Sequence, residues 1–144
     1  MGLRFTRQGR DGLSAFADAT YADNKESRRS VSGGVVMLGE TAVSWFSRTQ
    51  RCVATSSSET EYISLAEAAK EVLAISQVLE FLRPRVCYPP HIDMRYHFIR
   101  DQVKQGKVEV KYVETERQRA DFSTKPLAVE KFAEHRDVLM NVVM

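Results

Sequence analysis

Three carboxylates stand where apolar stretches of this sequence begin or end: Asp18 in FADA, Glu61 in SSSETEYISLAEAAKEVL and Asp121 in RADFSTKPL. Asp18 ends or interrupts an apolar strand-like run, where a solvated loop acid would need no such neighbours. Glu61 precedes Leu65 by four residues, so a helix would carry both on one face, with Glu61 near its N-terminus. Asp121 lies between Ala120 and Phe122 on a short amphipathic segment. Carboxylates that converge repel one another unless a cation neutralises them, and oxygen-only ligation suits Mg²⁺ or Mn²⁺. A simpler role competes at Glu61. Ser58 and Glu61 have the S-x-x-E spacing of a capping box, in which each side chain satisfies a free backbone donor of the other. Spacing alone leaves both roles open.

The elements that must position these acids follow from periodicity. Leu13 to Asp18 reads as a strand, followed by a long polar connection with the paired arginines Arg28 and Arg29. GVVML and AVSWF, separated by Gly39-Glu40, read as a hairpin of two buried strands. Tyr62, Leu65, Ala66, Ala69, Leu73, Leu79 and Leu82 fall on or near one stripe of a long helix that Pro84 stops. Ile92, Tyr96, Ile99 and Val103 predict a second helix ending at Gly106. KVEVKYV alternates as a strand should, Thr115 and Gln118 repeat the capping-box spacing before a short helix carrying Asp121, and VEKFAEHRDVLM is helix-compatible. Strands, a helix, then strand and helix again imply a mixed sheet with helices packed on it, an α/β layer fold.

Composition limits the rest. The 144 residues, 43% apolar and 28% charged, suit one packed core. No apolar run approaches the ~18 residues of a membrane span and the first residues lack a secretory apolar block, which predicts a cytoplasmic or nuclear protein with no membrane partner. Met1-Gly2 with Thr6 matches a myristoylation pattern too short to outweigh a plain chain start. Cys52 and Cys87 are too few for a disulfide scaffold. A net charge of +2 permits a nucleic-acid partner without demanding one. His91, Asp93 and His97 mimic a zinc-site spacing, but six residues between the histidines is not a same-face helical interval, so a polar helix entrance is the better account. Trp45, in a strand, reads as a core or edge residue before a base-stacking one.

FADATYADN, SRRSVSGG, AVSWFSRTQ, SSSETEYISLAEAAKEVL, HIDMRYHFIRD and RADFSTKPL, in this order, resemble the ribonuclease H domain that ends the polyprotein of copia-type LTR retrotransposons. The resemblance runs from about Gly2 to Leu127, and GLRFTR is similar to the connection from a preceding reverse transcriptase region, as if Met1 fell inside a longer ancestral chain. It implies a ribonuclease H-like fold over residues 1–128 with a helical tail at 129–144, and hydrolysis of the RNA strand of an RNA/DNA hybrid. It also implies a site in which four acids hold two Mg²⁺ ions about 4 Å apart. Carried over by motif, Asp18, Glu61 and Asp121 become catalytic metal ligands, with Glu59 a solvated first-turn acid. Arg28, Arg29, Arg48, Gln50 and Ser57, with Arg51 nearby, become contacts to the phosphates and 2′-hydroxyls of the hybrid.

The sequence departs from that pattern at 84–90. Relatives continue from the long helix into a full strand ending in Asp-Asn and then a further helix; here only RPRVCYPP separates Leu82 from His91. The fourth strand is therefore expected to be shortened or lost and the following helix deleted, with Tyr88 where the fourth acid belongs. A phenol is a poor Mg²⁺ ligand. Asp93 is better read as a first-turn helix acid, and Asp23-Asn24 belongs to the first loop. Two functions are left open: a hybrid-cleaving nuclease impaired by the lost aspartate, or a catalytically inactive domain that binds nucleic acid or a protein. The excised strand would leave the first strand with open hydrogen-bonding groups, which predicts a homodimer or a domain-swapped assembly.

Overall fold

The computed structural model describes residues 12–22, 27–82 and 98–140. Residues 84–90, where the fourth strand is expected to be shortened or lost, the Asp23-Asn24 pair, Cys87, Tyr88, His91, Asp93, His97 and the start of the second helix lie outside the described residues. Strands β1 (Leu13–Thr20), β2 (Val31–Leu38) and β3 (Thr41–Thr49) form an antiparallel sheet in sequence order, followed by helices α1 (Ser57–Leu82), α2 (Phe98–Lys104) and α3 (Val129–Leu139). The architecture is thus α+β, with a three-stranded antiparallel sheet among the described residues.

The hairpin turns on Gly39-Glu40, where Gly39 takes a left-handed φ of 60°. β2 is the central strand and is buried from Ser32 through Met37. On one face Val35 and Met37 pack with Ala42, Leu139 of α3, Phe16 and Phe122. α3 therefore shares the core of the sheet. The other face of β1 and β2 receives α1.

The sequence places the apolar stripe of α1 toward the core, but the helix buries two faces. Leu65, Ala66, Ala69 and Leu73 pack against Phe98 and Ile99 of α2. Against the sheet it turns Thr60, Ser64 and Ala68, all at most 1% exposed. Their spacing of four keeps them on one face, and their small volume lets the helix lie close. Ser64 Oγ sits 2.6 Å from the Asp18 carbonyl oxygen and 3.2 Å from that of Gly33, donating into the sheet backbone. Tyr62 and Leu82, counted in the expected stripe, are exposed.

Gly106 stops α2 as expected: at φ +67° its N–H donates to Val103 O and that of Lys107 to Gln102 O, a Schellman closure. Two expectations are corrected. KVEVKYV forms no strand: alternation supplies two faces, but the segment pairs with none of the three described strands. Thr115 and Gln118 do not cap a helix: residues Thr115–Arg117 make a single 3₁₀ turn without a side-chain cap, and Gln118 Nε2 instead donates to Ala17 O at 2.9 Å.

Asp121–Ser123 forms another 3₁₀ turn, which docks on the sheet at Gly33. A Cβ at Gly33 would stand 2.5 Å from Thr124 Cγ2 and 2.8 Å from Ser123 Cβ, so only glycine admits the turn. Gly33→Ala should lower stability by about 1–3 kcal/mol, as overpacking does. Gly12→Ala, with open space around its Cβ, should be close to neutral. Urea midpoints of the two variants measure the difference.

Candidate metal and nucleic-acid site

Asp18, Glu61 and Asp121 line one open cavity of about 710 Å³ at the outer edge of β1. Each comes from a different element. Asp18 belongs to the strand itself, opposite Gly33. Glu61 comes from the second turn of α1, and Asp121 begins the turn that Gly33 admits. The Val110–Val113 segment and Gln118 complete the wall.

The start of α1 explains why Glu61 is available. The cap is Ser56, whose Oγ accepts from the Glu59 N–H at 3.1 Å. Glu59 reaches back to the N–H and hydroxyl of Thr55, at 2.7 and 2.8 Å. These bonds from Thr55, that of the backbone first, hold the Glu59 carboxyl below its ordinary pKa. The capping acid is thus Glu59, two residues before the one the Ser58 spacing nominates; the chain enters the helix earlier because Thr55 and Ser56 supply the donor and acceptor. Glu59 is the solvent-facing first-turn acid expected from the sequence, and it caps the helix as well. Glu61 is released from capping, and its carboxylate lies near enough to the Ala19 N–H on the β1 edge to be favoured by it.

Asp18 and Asp121 are buried, at 9% and 2% exposure. Thr124 Oγ1 donates to Asp18 Oδ2, tying the turn to the strand. Lys125 Nζ lies 3.2 Å from Asp121 Oδ1 and 3.8 Å from Asp18 Oδ2, and Lys131 Nζ 3.7 Å from Asp121 Oδ2. Among the described residues Asp121 Oδ1 is buried without a hydrogen bond of acceptable geometry, so the Lys125 contact is an ion pair that leaves this oxygen without an aligned donor. Glu61 is exposed by surface area, yet its carboxyl is pushed above its ordinary value. Partial desolvation at the cavity wall is the largest cause, followed by the negative charge of Asp18; the Ala19 N–H and Lys125 work in the other direction, and Asp121 adds to the rise.

These residues match a hard divalent cation in donor type: all oxygen, mutually repelling, with one buried lone pair unfilled. Among the described residues, however, no group of three acids, histidines or cysteines already surrounds one ion-sized point. The side chains would have to draw inward and the lysines give way.

The expected nucleic-acid contacts do not form one set. Arg28 and Arg29 are exposed on the β1–β2 connection, Arg28 in the left-handed region at φ 54°. Ser57 is exposed at the first position of α1. Arg48 is exposed but engaged, 2.8 Å from Glu71 and stacked over Phe46. Gln50 is buried; its Nε2 donates to Ser32 Oγ at 2.9 Å and to Thr60 O at 3.0 Å. It fastens α1 to the sheet and has no surface to offer a duplex. Trp45 is 61% exposed and borders an apolar groove with Phe122, Phe132 and Leu139. Gly33, Thr124 and Lys125 shape the site without having been singled out; the only sequence signal for them was their place inside the SVSGG and DFSTK blocks.

The chain is homologous to retrovirus-related Pol polyproteins of transposons. It is 36% identical over 143 residues to the polyprotein of transposon RE1 and 34% over 139 residues to that of RE2, both of Arabidopsis thaliana. It is 31% identical over 142 residues to that of transposon TNT 1-94 of Nicotiana tabacum. The matches cover 81–83% of this chain and 10–11% of each polyprotein, so it spans about a tenth of the length of these relatives. No protein-family model and no solved structure matches it.

The raised Glu61 carboxyl makes stability depend on pH. Below the ordinary value of 4.5 the group is protonated in folded and unfolded chains alike and contributes fully. As pH climbs through the raised folded value, the unfolded state ionises first and stability is lost. Glu61→Gln should therefore melt like wild type near pH 4 and higher than wild type at pH 7. Thermal melts across that range measure it, and a constant offset would refute it.

Proposed function

We propose that this chain is a retroelement-derived ribonuclease H-like domain that hydrolyses the RNA strand of RNA/DNA hybrids with divalent metal, weakened by the loss of one aspartate. The observation that carries the reading is the meeting of Asp18, Glu61 and Asp121 at one cavity on the β1 edge, with a buried Asp121 oxygen left unfilled. The polyprotein homology supports a retroelement origin.

In this reading Asp18, Glu61 and Asp121 hold the ions. Bound divalent metal supplies a water of lowered pKa and stabilises the charge that builds on the phosphate and leaving oxygen. The chain's own contribution is positional. Thr124 fixes the Asp18 carboxylate, Ala19 orients Glu61, and Gly33 sets the depth of Asp121. The exposed Arg28, Arg29 and Ser57 are the remaining candidates for backbone contact with the hybrid.

A second reading, a binding domain without turnover, is favoured by one observation: Lys125 and Lys131 already neutralise much of the acidic charge. Tyr88 in place of a fourth carboxylate points the same way.

Cleavage of a labelled RNA/DNA duplex in Mg²⁺ or Mn²⁺ separates the two. The nuclease reading expects slow cutting by wild type, on the order of 10³-fold below a complete site. Cutting should be abolished by Asp18→Asn and increased by Tyr88→Asp. Hybrid binding without cleavage in any of the three proteins would establish the second reading instead.

A further inference from the structure

We propose that Lys125 is the resident counter-ion of the acidic cavity, and that a divalent cation binds between Asp18 and Asp121 by displacing its ammonium group into solvent. The inference rests on the metal-site reading above and adds to it a residue that opposes loading.

Geometry singles out Lys125. Its Nζ reaches Asp121 Oδ1 at 3.2 Å and Asp18 Oδ2 at 3.8 Å, bridging acids from two separate elements. Its charge is also felt at Glu61. One ammonium thus acts on all three carboxylates, whereas Lys131 pairs with Asp121 alone among them.

An ion entering there meets two obstacles. The acids are already partly neutralised, so the attraction that would draw it in is reduced. The ammonium also occupies the space between Asp18 and Asp121, and a divalent ion so close to it would be strongly repelled. Lys125 can leave at little cost. It sits at the cavity mouth with its side chain 40% exposed, on a flexible four-carbon stem, and its charge is rehydrated once it swings outward. Asp121 cannot follow, because its side chain is 3% exposed and its Oδ1 lacks a hydrogen bond. That unfilled oxygen is what an incoming ion would satisfy and what the misaligned ammonium does not.

Without metal the same lysine holds the site together. Removing it leaves Lys131, paired with Asp121, as the remaining lysine in an ion pair with either aspartate among the described residues. Lys125→Met keeps the length of the stem and deletes the charge. Lys70→Met, at an exposed position on α1, is the control.

Three proteins, wild type, Lys125→Met and Lys70→Met, are melted in chelator and titrated with Mn²⁺ by calorimetry at pH 7. Lys125→Met should melt below the other two in chelator and bind Mn²⁺ roughly tenfold or more tightly than they do, the scale on which removing a unit charge at contact distance acts. Saturating Mn²⁺ should narrow or reverse the melting difference. If wild type binds Mn²⁺ and Lys125→Met binds it no better, displacement is wrong while the metal site stands. If none of the three binds, the metal reading fails and takes displacement with it. A chelated Lys125→Met that melts with the control overturns the counter-ion role.

Discussion

The cavity depends on one close approach, that of the 121–124 turn to the bare backbone of Gly33. With no Cβ between them, Thr124 comes near enough to donate to Asp18, and Asp121 is carried below the surface beside it. A short-range steric allowance in the middle of β2 thus sets the separation of two acids that are 103 residues apart in the chain (121 − 18). Those acids are not near neighbours by accident of loop conformation. They are seated on a strand and on a turn pinned to that strand.

α1 contributes from the opposite face by means of small polar groups. Thr60, Ser64 and Gln50 spend their hydrogen bonds on the sheet and on one another, and that interlock brings the first turns of the helix against the β1 edge. Buried polar groups hold their place only when paired, so this interface fixes orientation more sharply than an apolar one of equal area would. The Ser56–Glu59 cap then fixes where the helix starts. Glu61, free of that duty, faces the cavity.

Much of the scaffold was legible in the sequence. Short apolar runs marked β1 and the hairpin, helical periodicity marked α1 and α2, the α3 segment was helix-compatible, and Gly39 and Gly106 stood where the backbone needs a left-handed residue. What escaped was tertiary. The sheet-facing side of α1 carries Thr60, Ser64 and Ala68, whose hydropathy gives no stripe. KVEVKYV has the pattern of a strand and pairs with none of the three described strands. Two overlapping S-x-x-E spacings nominate different caps, and the choice between Glu59 and Glu61 lay in Thr55. Gln50 sits in a polar block and reads as surface, while the fold uses its amide inside. The three acids could be named from their motifs, but Lys125 acquires meaning only when the turn has docked.

The border of β1 carries a further consequence. A naked strand margin templates the growth of fibrils, since its amides and carbonyls recruit any extended chain that drifts past. Here the Ala17 carbonyl accepts from Gln118, and the Glu61 carboxylate approaches the Ala19 amide. Among the described residues no strand pairs with this margin, and at two successive outward-facing positions side chains lie against it, so an incoming chain would meet them first. Glu61 therefore belongs at once to the cavity wall and to the border of β1, and a change at this one carboxylate alters both.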